Sequence, residues 1–151
     1  MAQRVREARV SVGGTARAAI GPGLCVFAAA AAGDGAEDVA YLADKIAHLR
    51  VFPDGPGASG GARMTRSLLD AGGEVLLVPQ FTLCGDVRRG RRPDFTGAAR
   101  PEDGAVLLAG LAGALRGRGL AVREGVFGAD MRVLVDNDGP VTILLDSRRA
   151  F

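Results

Sequence analysis

Apolar positions recur along this chain with two different periods, and the switches between them mark the elements. Val5, Ala8, Val10 and Val12 approximate the alternation of a half-buried strand, and Gly13-Gly14 supplies a turn. QRVREARVSVGGTARAAIG therefore predicts a hairpin. GLCVFAAAA follows as an unbroken apolar run of strand length, which implies burial on both faces. The period then changes. Val39, Leu42, Ile46 and Leu49 form one stripe at helical spacing within DGAEDVAYLADKIAHL, and Asp34 with Glu37 three residues on suggests an aspartate form of the capping box. RVF predicts a short strand, and PDGPGASGG reads as a flexible loop by composition.

EVLLVPQFTL is a second apolar run of strand length, in which Pro79 demotes the segment to an edge, a bulge or a strand end. A second helix is expected from Pro101, a good first-turn residue, with Glu102 and Asp103 at the positive end of the dipole. It runs through AVLLAGLAGALRGRG despite its interior glycines. LAVREGVFG and ADMRVLVDND predict strands. Val133 and Val135, then Val141, Ile143 and Leu145, alternate as two half-buried strands joined by Asn137-Asp138-Gly139. Pro140 follows that turn at once and removes a backbone donor where the next strand begins. Either it ends the turn and blunts an edge strand, or the Gly-Pro backbone is itself presented to something. No linker or repeat interrupts residues 1–151. The expected fold class is α/β: a single domain of mainly antiparallel β-sheet layers, barrel-like, packed with two α-helices.

Composition narrows the chemistry. With 48% hydrophobic residues in 151, the chain can build a core without staples. Cys25 and Cys84 lie in apolar runs and read as small buried hydrophobes of a reducing compartment. The opening MAQRVREARV carries charge and no apolar block, and Leu24 to Ala32 is about half a membrane span, so a cytoplasmic protein without a membrane partner is expected. The net charge of +2 decides nothing about nucleic acid, but its distribution is uneven. Arg88, Arg89, Arg91 and Arg92 crowd into RRGRR, a solvated loop or a phosphate-contacting patch. His48, the only histidine, falls at the end of the first helix, where a cation suits the dipole. No histidine-based triad or Cys-His pair can be assembled, no Cys/His cluster has zinc spacing, and neither a P-loop nor a G-x-G-x-x-G pattern occurs, so no metal and no cofactor is expected. An enzyme built from this chain relies on backbone amides, hydroxyls and side-chain amides.

Two segments break their own strand pattern, PQFTL and NDGPVT, and they carry a resemblance. Together with QRV, GPGL, YLADKI, LRVF, SLLDAGGEVLLVPQFTL, GRRPDF, FGADM and NDGPVTILLDS, in this order and over nearly the full length, the chain resembles the D-aminoacyl-tRNA deacylases. The resemblance implies a homodimer that hydrolyses the ester between a D-amino acid and the 3′ terminal adenosine of tRNA. It also implies cleavage of glycine from mischarged tRNA-Ala, since an achiral substrate has no side chain to reject. It makes Gln80, Phe81 and Thr82 the catalytic segment, with backbone N–H groups as the oxyanion donors. It places Pro79, Met131, Asn137, Gly139, Pro140 and Thr142 at the substrate. It implies a cis Gly139-Pro140 peptide that enters the partner subunit's site and excludes L side chains by clash. Arg4 matches the arginine that helps to hold that turn, and the four clustered arginines become candidate tRNA contacts.

One departure matters. The first motif normally begins with serine, and this chain has Pro79, as does a related branch that edits L-alanine mischarged onto tRNA. NDGPVT and Arg4 match the D-specific branch instead. Thr65 and Asp94 also depart from the usual asparagine and serine. Two alternatives therefore stand beside the D-specific deacylase: an L-alanyl-tRNA deacylase, and a non-catalytic tRNA-binding module resting on the arginine cluster.

Overall fold

The computed structural model describes residues 1–55 and 63–149. The sheet is built on β1 (Ala2–Val12). Along one edge β1 pairs antiparallel with β3 (Gly23–Ala28) through Ala2 to Val5, then with β2 (Thr15–Ile20) through Ala8 to Val12. Along the other edge it pairs antiparallel with β8 (Arg132–Ile143). β3 continues into β6 (Glu74–Pro79), and β6 into β7 (Ala121–Glu124), both in parallel register. Antiparallel pairings predominate, as expected, but β3, β6 and the terminal strand β7 run parallel to one another. A short ribbon of β4 (Phe52–Pro53) and β5 (Met64–Arg66) lies apart. The loop expected from PDGPGASGG falls largely outside the described residues.

The unbroken apolar runs are explained by burial on both faces. Leu24, Val26, Val75 and Leu77 pack against the helices α1 (Ala36–His48) and α3 (Pro101–Arg116). Cys25, Leu76 and Val78 point the other way, into the concave interior of the curled sheet with Val5, Ala8, Val10 and Ile20. Each of these fully buried Leu or Val side chains contributes about 1.5–3 kcal/mol relative to exposure, which makes β3 and β6 the anchor of the domain. Pro79 ends β6, so of the three positions open to it the strand end is the one realised.

Three local expectations change. The helix α1 is capped one residue later than the pattern suggested: Gly35 is the N-cap, and its N–H donates to the Asp38 carboxylate at 2.8 Å. Asp34 is instead used to close the preceding turn, accepting from the Ala31 N–H at 2.7 Å and pairing with Arg148 at 2.6 Å. There are three α-helices among the described residues where two were expected. The third, α2 (Leu68–Ala71), is too short to leave a periodic trace. Ser67 caps it reciprocally with Asp70, and Gly72 ends it in the left-handed region. Finally, residues 132–143 form one strand rather than a hairpin, because both halves pair with the same partner, β1.

That strand contains the main irregularity of the fold. Gln3 pairs with Thr142 and Val5 with Asn137, so residues 138–141 loop out opposite the single residue Arg4. The next step, from Val5–Asn137 to Glu7–Asp136, leaves Arg6 as an extra residue on β1. This second break has a packing cause. Val5 and Ala8 belong to the same buried cluster although they are three residues apart, and an uninterrupted strand would put them on opposite faces. The bulge at Arg6 restores the phase.

Gly23 offers a test of the parallel core. A Cβ there would sit 2.0 Å from the Glu74 carbonyl oxygen and 2.7 Å from its nitrogen, both immobile backbone atoms. Gly23→Ala is expected to lower stability by about 1–3 kcal/mol or more, measured by urea unfolding.

Candidate functional site

The carboxyl ends of the two adjacent parallel strands, β3 and β6, stop at Ala28 and Pro79, and the chain leaves both in irregular conformations. In an open parallel sheet that is where a crevice forms. A cavity of about 590 Å³ lies there. Its floor is Ala28, Val78 and Pro79; one wall is the start of α3, from Arg100 to Leu108. The segment Phe127 to Met131 between β7 and β8, with Val133 beyond it, continues the lining, the Phe127 ring lying against Gly104 of α3. Phe81 and Phe95 stand at the side, ring centroids 5.2 Å apart and nearly perpendicular. The lining is mostly apolar and aromatic, with Arg100 and Asp130 as the charged members; Arg100 is already paired with Asp103 at 2.8 Å. A mostly apolar, aromatic lining with a few polar groups is the usual composition of a small-molecule pocket.

At the mouth, β6 turns into a 3-10 segment, Phe81–Cys84. The Gln80 N–H donates to the Ala28 carbonyl at 2.8 Å, so of the three candidate amides of the catalytic segment that one is occupied. The first N–H groups of a helical turn lack partners within it. Those of Phe81 and Thr82 have no backbone or side-chain acceptor among the described residues, while Leu83 and Gly85 bond back to the Gln80 and Thr82 carbonyls. Two adjacent free donors at a cavity mouth are an anion-binding arrangement. Gln80 Nε2 donates to Thr82 Oγ1, which fixes the hydroxyl; Thr82 itself is exposed at the rim and does not line the cavity.

No activated nucleophile stands nearby. Burial pushes the Cys25 thiol up to about 12, and Cys84 is raised too, by burial first and then by the Asp34 carboxylate. Neither supplies thiolate at neutral pH. His48, the last residue of α1, lies outside the cavity lining, its Nδ1 3.0 Å from the Asp44 carbonyl oxygen.

The second motif is an architectural unit. Asn137 Oδ1 accepts the Val141 N–H at 3.2 Å, and its Nδ2 donates to Thr142 Oγ1 at 3.1 Å. Gln3 Nε2 donates to the same hydroxyl at 3.2 Å. Asn137 and Thr142 thus close the base of the loop and hold Gly139-Pro140 at its tip, where both are exposed and their peptide bond is cis. Gly139 has φ of 119°, in the region that excludes side chains, and a Cβ there would lie 2.8 Å from Val141 Cγ2 and 3.1 Å from Arg4 Nη2. The half-buried Arg4 donates through Nη1 to the Val51 carbonyl at 2.6 Å and brings Nε within 3.0 Å of Asp138 Oδ2, an ion pair without an aligned N–H.

The arginine loop hangs from the same 3-10 segment. Asp86 and Asp94 exchange backbone hydrogen bonds of 2.8 and 2.9 Å across its neck, and the chain returns directly to Phe95 in the cavity wall. Arg88 folds back onto Asp86 with contacts of 2.6–3.0 Å, and the hydrogen bond from its guanidinium holds the Asp86 carboxyl down at about 2. Arg89, Arg91 and Arg92 are exposed at the tip. Of the departures, Asp94 accepts the Thr96 N–H at 2.9 Å, and Thr65 donates to Asp54.

The structure therefore gathers Pro79, Gln80, Phe81 and Met131 around one cavity and leaves Asn137, Gly139, Pro140 and Thr142 outside that lining in the same chain. Phe95, Phe127, Arg100 and Asp130 were not singled out from the sequence. Phe95 and Phe127 sit in GRRPDF and FGADM, where an aromatic inside a polar loop was the available signal.

Comparison with known proteins gives the family. The family model described as D-Tyr-tRNA(Tyr) deacylase matches residues 1–146. The chain is 50% identical over 149 residues to a D-aminoacyl-tRNA deacylase of Thermoanaerobacter pseudethanolicus, covering 99% of this chain and 97% of that one. It is 53% identical over 150 residues to a D-aminoacyl-tRNA deacylase of Sorangium cellulosum, with the same coverage. Among solved structures, a c-Myc DNA unwinding element binding protein superposes with a TM-score of 0.85 at 38% identity, over 94% of this chain and 93% of the other. A probable eukaryotic D-amino acid tRNA deacylase, at 18% identity and a TM-score of 0.77 over 92% and 93%, shares the fold. With a model match across nearly its whole length and relatives at half identity, the chain belongs to the D-Tyr-tRNA(Tyr) deacylase family, a family of hydrolases.

Proposed function

We propose that this protein hydrolyses the ester of D-aminoacyl-tRNA in the cytoplasm, and that it works as a homodimer in which Gly139-Pro140 of one protomer enters the cavity of its partner. The supporting observation is the loop of residues 138–141. It is a stretch of main chain with no side chain at Gly139, braced from behind, exposed at its tip, and outside the cavity lining of its own chain. A rigid backbone at the substrate's alpha carbon leaves no room for an L side chain and lets a D side chain point elsewhere. Glycine has no side chain to reject, so mischarged glycyl-tRNA is a second substrate.

The terminal adenosine would occupy the aromatic slot between Phe81, Phe95 and Phe127, bringing the ester to the 3-10 turn. Water adds to the carbonyl carbon, and the charge developing on its oxygen is received by the Phe81 and Thr82 N–H groups. The bond to the ribose oxygen then breaks, and that oxygen leaves protonated as a hydroxyl. One such donor commonly supplies about 3–4 kcal/mol of transition-state stabilisation. An aminoacyl ester is already activated, so two preorganised donors meet a smaller barrier than an amide would present. Thr82 is held by Gln80 and lacks a base, which supports a positioning role.

Pro79 favours a second reading, the L-alanyl-tRNA deacylase, because it gives the cavity floor a ring in place of a serine hydroxyl. Challenging the protein with D-Tyr-tRNA and L-Ala-tRNA side by side decides between them. Release from D-Tyr-tRNA alone is expected; release from L-Ala-tRNA alone would make the second reading correct, and tRNA binding without release from either would leave a binding module. In the same assay Thr82→Ala is expected to slow release by about tenfold or less, whereas loss of a true nucleophile costs several orders of magnitude.

The arginine loop is proposed to follow the tRNA backbone. Arg91→Ala and Arg92→Ala should each flatten the slope of log affinity against log salt by about 1. Arg88→Ala should change it less, because Asp86 already neutralises that guanidinium. Binding titrations at several salt concentrations read the difference.

A further inference from the structure

The two register breaks of β1 place Arg4 and Arg6 beside the same looped segment of β8, and one carboxylate lies between them. Asp138 Oδ2 is 3.0 Å from Arg4 Nε, and Asp138 Oδ1 accepts a hydrogen bond from Arg6 Nε at 3.1 Å. Arg4 is itself pinned from the far side by the Val51 carbonyl, and its side chain is 12% exposed. Arg6 is 70% exposed and Asp138 28%. Asn137 and Thr142 tie the base of the loop, but no described hydrogen bond ties Gly139 or Pro140 directly. The tip is therefore steered by the residue next to it.

We infer that Asp138 is a positioning residue for stereochemical selection: its carboxylate, shared by Arg4 and Arg6, sets where the Gly139-Pro140 backbone stands. This rests on the proposed role of that backbone in the partner's cavity. A carboxylate flanked by two guanidiniums is held in two directions at once, which a single surface pair does not achieve. A backbone that rejects by contact loses its discrimination when displaced by a fraction of an ångström, while the amides of Phe81 and Thr82 remain in place. Asp138 then governs the ratio between enantiomers more than the rate on an achiral ester. Arg6, on β1 and outside the cavity lining, acts through Asp138 alone.

The test measures release from D-Tyr-tRNA, L-Tyr-tRNA and Gly-tRNA by the wild-type protein, Asp138→Ala, Asp138→Glu and Arg6→Ala, with a thermal unfolding curve for each. In Asp138→Ala the D-to-L ratio should fall by about tenfold or more, a scale set by small displacements at reacting groups, and by a larger factor than Gly-tRNA release. Asp138→Glu should restore part of the ratio, and Arg6→Ala should lower it by a smaller factor. If Asp138→Ala does not fold, Arg6→Ala reads the same ratio after removing an exposed partner. A folded Asp138→Ala or Arg6→Ala protein with the wild-type ratio overturns the inference and leaves the backbone gate standing. A wild-type protein that releases D- and L-tyrosine alike overturns both.

Discussion

The register of β1 is the constraint from which the site follows. This strand is hydrogen-bonded to β2 and β3 on one side and to β8 on the other, so no part of it can slide without disturbing three neighbours. A slip of one residue would turn Val5, Ala8 and Val10 out of the concave core. The odd spacing between Val5 and Ala8 must nevertheless be absorbed, and the bulge at Arg6 absorbs it. At the neighbouring register break the excess is on β8, where residues 138–141 stand opposite Arg4 and form the loop that carries Gly139 and Pro140. Both breaks fall between Gln3 and Glu7 of β1, so the phase of the buried side chains and the looped-out backbone of β8 are set side by side.

The cavity obeys a separate rule. β3 and β6 are parallel and buried on both faces, and their common carboxyl end is the place where chain must diverge. What diverges there is chemically plain: alanines, a proline, three phenylalanines and a turn whose first amides are free. The two cysteines are raised away from reactivity by burial, and the histidine stands elsewhere. Preorganised dipoles suit an ester that needs little acid or base assistance, and they cost no reorganisation during the reaction. The second motif stands apart from these walls: Asn137, Gly139, Pro140 and Thr142 all lie outside the lining of the cavity in the same chain.

Pro79 belongs to the cavity and not to the loop. It closes β6, lines the cavity floor and packs beneath Gly125, where a Cβ would come within 3.3 Å of its Cδ. The proline is accommodated because the strand ends there, so no ladder hydrogen bond is lost further on. It lies on the cavity floor, at a distance in the chain from the loop that Arg4 and Asp138 brace.

The sequence by itself determined the alternation of strands and helices, the two doubly buried runs, the helical stripe from Val39 to Ile46, the exclusion of histidine and thiol catalysis, and the two motifs that break pattern. These are local properties, carried by the spacing and chemistry of nearby residues. Only the tertiary structure decided that the second motif is a bulge in one strand rather than the turn of a hairpin, because that depends on both halves sharing β1. It alone showed the Gln80 amide engaged, Arg88 spent on Asp86, and Arg4, Arg6 and Asp138 brought together. Those outcomes are set by residues more than a hundred positions apart, or by which of several possible partners a group meets first, and no spacing along the chain encodes them.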